Sequence, residues 1–123
     1  MPPVVVLLFR EGNECQLAEG FDGIPEKAYA KGMGKVRRLA ALGHELRRPE
    51  ADYLEEGIYE LRWRIQSVNY RVLYFFHGRG IVVLPHGFTK EDRIPPKEID
   101  LALRHKAAFL RNPEAHTYRE GLP

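Results

Sequence analysis

The sequence predicts an α+β domain in which an antiparallel sheet, made of an N-terminal strand and a three-strand meander, packs against helices. Three observations carry this expectation. Strand-type runs follow one another from Gly57 to Lys90 with turn residues between them. Two segments, opening at Pro25 and at Pro96, place apolar residues at helical spacing. The chain also opens on an apolar, β-branched run, Val4 to Phe9.

Val4 to Phe9 is continuously apolar, as expected of a strand covered on both faces, and it belongs inside or beside the main sheet. Glu11-Gly12-Asn13 breaks it, and Glu14 to Phe21 reads equally as a short helix or an irregular connection. Pro25 at a first helical position opens the clearest helix, which carries Tyr29, Met33, Val36, Leu39 and Ala40 on one stripe and ends near Gly43. Gly32 and Gly34 each weaken it by roughly 1 kcal/mol relative to alanine, so its stability must come from packing on the sheet. Lys27, Lys31, Lys35 and Arg38 occupy the remaining surface and read as a solvated face. Between Gly43 and Gly57 lies a link that Pro49 prevents from being one helix, and its Arg47 and Arg48 are expected to extend a cationic, RNA-binding surface.

In the first strand of the meander Tyr59, Leu61, Trp63 and Ile65 point one way and Glu60, Arg62 and Arg64 the other. Tyr70 to His77 is rich in β-formers, Gly78-Arg79 suits a two-residue turn, and Ile81 to His86 is the third strand. Counting outward from Gly78-Arg79 sets Arg71 opposite His86, and counting from Ser67-Val68 sets Arg64 opposite Arg71 and Arg62 opposite Leu73. Glu60, Arg62, Arg64, Arg71 and His86 are thereby expected on one face. Like charges directly across a ladder are destabilising, so this face is either solvated or a site that awaits an anion, with Glu60 as the neutralising carboxylate. His86-Gly87-Phe88-Thr89-Lys90 reads as a turn. A second helix follows Ile94-Pro95-Pro96, with Ile99, Ala102, Leu103, Ala107 and Leu110 as its apolar stripe. Asn112-Pro113 stops it, and from about residue 112 the tail is expected to be poorly ordered unless a partner holds it.

With 123 residues the chain is expected to form one domain, residues 1–123, without an internal boundary. The apolar run at the start is too short to span a bilayer and no basic segment precedes it, so neither a membrane anchor nor a secretory signal is expected. Cys15 is the single cysteine, which excludes an internal disulfide and fits a reducing cytoplasm. No Cys/His spacing resembles a zinc site. The net charge of +2 comes with thirteen arginines against six lysines, and arginine is the better fork for phosphate.

The order strand, helix, link, three strands, helix, together with Gly57-Ile58-Tyr59-Glu60-Leu61-Arg62, Tyr70-Arg71-Val72-Leu73-Tyr74-Phe75-Phe76 and His86-Gly87-Phe88-Thr89-Lys90, resembles the RelE/HigB toxin superfamily over nearly the whole chain. It is most similar to the phage-derived HigB-like subgroup. The resemblance implies the same α+β fold and a ribosome-dependent endoribonuclease, the toxin of a type II pair, which cleaves messenger RNA without metal or cofactor. The 2'-hydroxyl attacks the adjacent phosphate, leaving a cyclic phosphate and a 5'-hydroxyl. A cognate antitoxin, a small helix-turn-helix protein encoded nearby, holds such toxins inactive.

Carried over by that resemblance, Arg71 is the strongest catalytic candidate, with Arg62 and Lys90 at further basic positions and Arg64 as a phosphate contact. His86 suits a general acid or base, or a packed structural histidine. Glu60 suits a base or, preferably, the counter-ion of the arginines. Phe88 suits stacking on a base or a core position. His77, at a hairpin end, is expected to be exposed. The chain departs from the subgroup at Glu91, where a second lysine is common, and at Ile94-Pro95, which replaces Thr-Pro. No tyrosine stands near the third strand's end, and Tyr118 is too remote to assign. A non-catalytic RNA- or protein-binding module on the same fold is the competing reading. A metal hydrolase using His86, His77 and Glu60 is disfavoured, because the arginines beside them would repel a cation.

Overall fold

The computed structural model describes residues 3–89 and 94–118. Six strands and three helices follow in the order β1 (Val5–Leu8), α1 (Gln16–Asp22), α2 (Glu26–Leu42), β2 (Ala51–Glu55), β3 (Ile58–Ile65), β4 (Val68–His77), β5 (Ile81–Leu84), β6 (Gly87–Thr89) and α3 (Pro96–Arg111). The class is α+β, but the sheet is mixed. Its order is β1-β5-β4-β3-β2, with β6 also paired to β4, and β1 runs parallel to β5. Three features correct the expected antiparallel four-stranded sheet. Direction differs for β1, and the link and the turn at 87–89 each contribute a strand, β2 and β6. Residues 16–22, ambiguous in sequence, form α1.

Register is corrected at both hairpins. Ile65 pairs with Val68, so Gln66-Ser67 is the two-residue turn between β3 and β4, and Gln66 takes the left-handed conformation that such a turn requires (φ 53°). His77 pairs with Ile81, so three residues, with Gly78 at φ 65°, join β4 to β5. The first shift moves the pairing by two residues and preserves every facing. The second, together with the step at Pro85-His86 between β5 and β6, sets Phe88 rather than His86 opposite Arg71.

Both faces of the sheet are covered. On one, Leu61, Trp63, Tyr70, Val72, Tyr74, Val82 and Leu84 meet α1 and α2. On the other, Ile58, Leu73, Phe75 and Val83 meet Ala102 and Phe109 of α3. The expected α2 stripe is buried at Met33, Val36 and Leu39. Trp63 seats this helix: its indole donates to the Ala28 carbonyl at 3.0 Å, and Gly32 leaves the ring room, since a Cβ there would lie 2.5 Å from Cζ2. Gly32, read in sequence as a weak point, is thus the close approach that makes the packing possible.

The stripe of α3 is rotated from expectation. Ala102 is buried and Ile99 and Leu103 are half-buried as expected, but Ala107 and Leu110 are exposed while His105, Ala108 and Phe109 are buried, with the His86 and His105 rings meeting inside this interface. Val5 is exposed, so β1 is not covered on both faces. After α3 the chain is bonded as far as Tyr118: Thr117 bridges Phe9, and the Tyr118 N–H donates to the Leu8 carbonyl. The part of the expected tail beyond that point lies outside the described residues.

Candidate nucleic-acid interface

The cationic face starts from the alternation of β3 and β4. Across their ladder Glu60 faces Leu73, Arg62 faces Arg71 and Arg64 faces Asn69, all on the side that α3 covers further along at Ile58 and Phe75. The Arg62 N–H is used toward β2, where it donates to the Glu50 carbonyl at 2.9 Å. Arg62 and Arg71 are therefore a non-hydrogen-bonded pair across β3 and β4, the geometry that brings opposing side chains closest.

Two guanidiniums placed this way need a carboxylate, and Glu60 supplies it. It is 2% exposed, and its Oε1 accepts from Arg71 Nη1 at 2.8 Å and from Arg62 Nη1 at 3.1 Å. Arg62 is held from a second side, its Nε donating to the Pro49 carbonyl at 2.8 Å. The counter-ion geometry expected of Glu60 is thus present, with one carboxylate shared by two guanidiniums. Arg64 is exposed and donates to the Gln66 carbonyl of its own hairpin turn at 2.7 Å.

Arg62, Arg64, Asn69 and Arg71 line a cleft of about 290 Å³, and its far wall is formed by Lys31 and Lys35 of α2. Lys31 is exposed, as the reading of a solvated face expects, but the placement of these two lysines beside the arginines was not read from the sequence. A helical stripe shows which side of α2 is buried, but not that its flank overhangs the end of β3. Glu50 at the rim binds Arg38 at 2.5 Å and Lys35 at 3.0 Å, and these cations, Arg38 first, hold its carboxyl down at about 2 against the opposing effect of burial.

His86 is brought to the same face but into a different environment. Only 3% exposed, it sits under α3, with Nε2 3.1 Å from Glu98 Oε1 and its ring edge-on to His105 at 5.8 Å. Its Nδ1 is buried without a hydrogen-bond partner. Burial pushes its pKa below the ordinary histidine value, and the Glu98 carboxylate offsets part of that, so the ring is neutral at neutral pH. Glu98 was missed as its partner; the signal available was a carboxylate in the first turn of the helix after Pro95-Pro96.

The remaining candidates separate. Phe88, opposite Arg71, is half-buried and packs on the second core cluster. An apolar slot of about 110 Å³ between α1 and β6 is lined by Phe21, Trp63, Tyr70, Phe88 and Thr89. Arg47 and Arg48 do not join the arginine cleft: they line a hollow of about 510 Å³ beside β2, where Arg48 Nη2 lies 2.8 Å from Asp52 and Arg47 donates to the His44 carbonyl. His77, expected to be exposed, is half-buried with its ring edge against Phe109 at 5.1 Å. Lys90 and Glu91 lie outside the described residues. His86, His77 and Glu60 have three separate sets of partners, and among the described residues no group of three His, Cys, Asp or Glu side chains converges as metal ligands. No described helix is long and apolar enough to cross a membrane.

Two comparisons bear on this arrangement. The chain matches no curated protein in sequence. A family model described as phage derived protein Gp49-like (DUF891) matches residues 19–107, a span that runs from α1 into α3 and includes Glu60, Arg62, Arg71, His86 and Glu98.

Proposed function

The chain belongs to the phage-derived Gp49-like family, a toxin-like family related to the RelE and HigB type toxins, and from that premise we propose that it is the toxin of a type II pair, an endoribonuclease that cleaves messenger RNA on the ribosome. Membership implies an antitoxin partner in general; a small helix-turn-helix protein is the partner we assign.

The observation that carries this reading is the Arg62 and Arg71 pair, set directly opposite on two central strands and ordered by one buried carboxylate at the floor of a cationic cleft. In metal-free RNA cleavage the 2'-hydroxyl gives up its proton to solvent as its oxygen forms a bond to the adjacent phosphorus, while the bond to the 5'-oxygen breaks and that oxygen takes up a proton, giving a cyclic phosphate and a 5'-hydroxyl. Negative charge grows on the non-bridging oxygens of the phosphorane, and donors already aimed at that position lower the barrier. Glu60 keeps the two guanidiniums in place before substrate arrives, so little reorganisation is needed at the moment of reaction.

Arg64 is the adjoining phosphate contact, and the basic role of Lys90 rests on the resemblance alone. Phe88 supports the floor beneath Arg71. For His86 the geometry favours the packed role over proton transfer, because its Nε2 is committed to Glu98 and its Nδ1 is sealed under α3. Arg47 and Arg48, around a separate hollow, fall outside the centre.

A second reading, a binding module that holds RNA without cleaving it, is favoured by one observation: among the described residues Glu60, Glu50 and His86, candidate proton acceptors, are each engaged by a partner. The two readings are separated by inducing the protein in a bacterium and mapping new 5' ends on messages. The wild type should produce them, and Arg71→Ala should lower their yield by about two to three orders of magnitude. A folded wild type that produces none would leave only the binding module.

A further inference from the structure

The sheet is open at one place on the β2 side of β3, and the cations converge there. The last bond between the two strands runs from the Arg62 N–H to the Glu50 carbonyl, and β3 continues to Ile65 without a β2 partner. By the period-two alternation the Arg64 backbone faces that open edge. Its carbonyl accepts from Lys31 Nζ at 3.0 Å, so α2, which packs on the opposite face of the sheet through Trp63, reaches over the edge to the arginine side.

Among the described residues, charge in the cleft is unbalanced. Its lining holds Lys31, Lys35, Arg62, Arg64 and Arg71 against Glu50, with Glu60 buried beneath. Both carboxylates are shared, Glu60 between Arg62 and Arg71 and Glu50 between Lys35 and Arg38. The bonds made by Lys31 and Arg64 go to backbone carbonyls, which are neutral acceptors and leave both charges uncompensated. Like charges gathered over a concave surface focus a positive potential and raise the local concentration of an anionic chain.

We infer that a single-stranded RNA backbone crosses this open edge, with one phosphate on the Arg62 and Arg71 pair and a neighbouring phosphate between Arg64 and Lys31. The inference rests on the reading of the arginine pair as a phosphate site, and it routes the strand toward α2 rather than along Arg47 and Arg48. Asn69, opposite Arg64, presents an amide at the same rim for a sugar or base edge.

The test uses a 2'-O-methyl oligonucleotide of about eight nucleotides, which binds but cannot undergo 2'-hydroxyl attack. Its affinity is measured against salt for the wild type, Lys31→Gln and Lys27→Ala. Glutamine removes the charge while keeping an N–H donor on a side chain one atom shorter, and an unchanged melting temperature of the variant shows that folding is not the variable. Lys27 is exposed on α2, outside the cleft lining. Lys31→Gln should lower the slope of log affinity against log salt by about 0.7, the value of one single-strand phosphate, and Lys27→Ala should leave it unchanged. An unchanged slope in Lys31→Gln, with the wild type binding, overturns the path over the edge and leaves the arginine pair to be judged by the Arg71→Ala cleavage assay. A wild type that ignores the oligonucleotide but binds poly-glutamate in a Lys31-dependent way overturns it in favour of an acidic protein segment.

Discussion

Replacing Glu60 with glutamine removes the buried negative charge that Arg62 and Arg71 share, while preserving shape and one hydrogen-bond acceptor. The two arms of the clamp differ in weight. Arg62's side chain is 32% exposed, so its bond to Glu60 is screened by water and contributes about 0–1 kcal/mol. Arg71's is 12% exposed, and stranding one partner of a buried pair costs about 3–5 kcal/mol, a figure that the residual glutamine carbonyl reduces. Taken together, Glu60→Gln should destabilise the fold by about 2–4 kcal/mol in denaturant melts, or roughly 5–15 °C in melting temperature for a domain of this length. Two further readouts identify the mechanism as repulsion between the arginines. Sulfate should raise the melting temperature of Glu60→Gln more than that of the wild type, because an anion bound in the cleft then offsets the uncompensated guanidinium charge and stabilises by mass action. Adding Arg62→Gln to Glu60→Gln should recover part of the loss, a coupling that a double-mutant cycle reads directly. If Glu60→Gln melts within about 0.5 kcal/mol of the wild type, the figure typical of a surface substitution, the clamp as described is refuted.

Other perturbations test the neighbouring structure. His86→Gln should lower the melting temperature while the message cleavage of the folded protein stays near wild type, and loss of cleavage at unchanged stability would restore a proton-transfer role to this histidine. His105, buried and stacked on Phe9 with ring centroids 4.3 Å apart, is held at about 4, chiefly by burial and then by His86. Because its folded value lies below its unfolded value of about 6.5, the unfolded chain binds the extra proton, and stability is lost as pH falls from about 6.5 toward 4. The loss should amount to about 2–3 kcal/mol in urea melts, and it should shrink in His105→Leu; an equal loss in the variant would exclude His105 as the cause. Gly32→Ala should cost about 1–3 kcal/mol despite alanine's better helix propensity, because its Cβ would sit 2.5 Å from Trp63 Cζ2. A more stable Gly32→Ala would show that the indole has room to move.

What could be read from the chain alone is what depends on local periodicity. The alternation of Tyr59, Leu61 and Trp63 with Glu60, Arg62 and Arg64 assigns each side chain to a face whatever the strand pairs with, and a register error of two residues leaves that assignment intact. The gathering of Arg62, Arg64 and Arg71 on one side with Glu60 as counter-ion was therefore legible in the residues themselves. So were the bounds of α2, set by Pro25 before it and Gly43 after it. Partners across strands were not, because they depend on turn length and on contacts distant in sequence. One additional residue in the β4 to β5 turn and a step at Pro85-His86 moved His86 away from Arg71 and under α3, where Glu98 meets it. The parallel pairing of β1 leaves no trace in its own residues, since Val5 to Leu8 would alternate identically in either direction. Short strands such as β2 and β6 carry too few residues to show a period and exist because the edges of β3 and β4 offer unpaired backbone groups. The place of Lys31 and Lys35 beside the arginines followed from the same long-range packing. The indole of Trp63 fixes how α2 lies across the sheet, and only that crossing brings a solvated helix flank to the open end of β3.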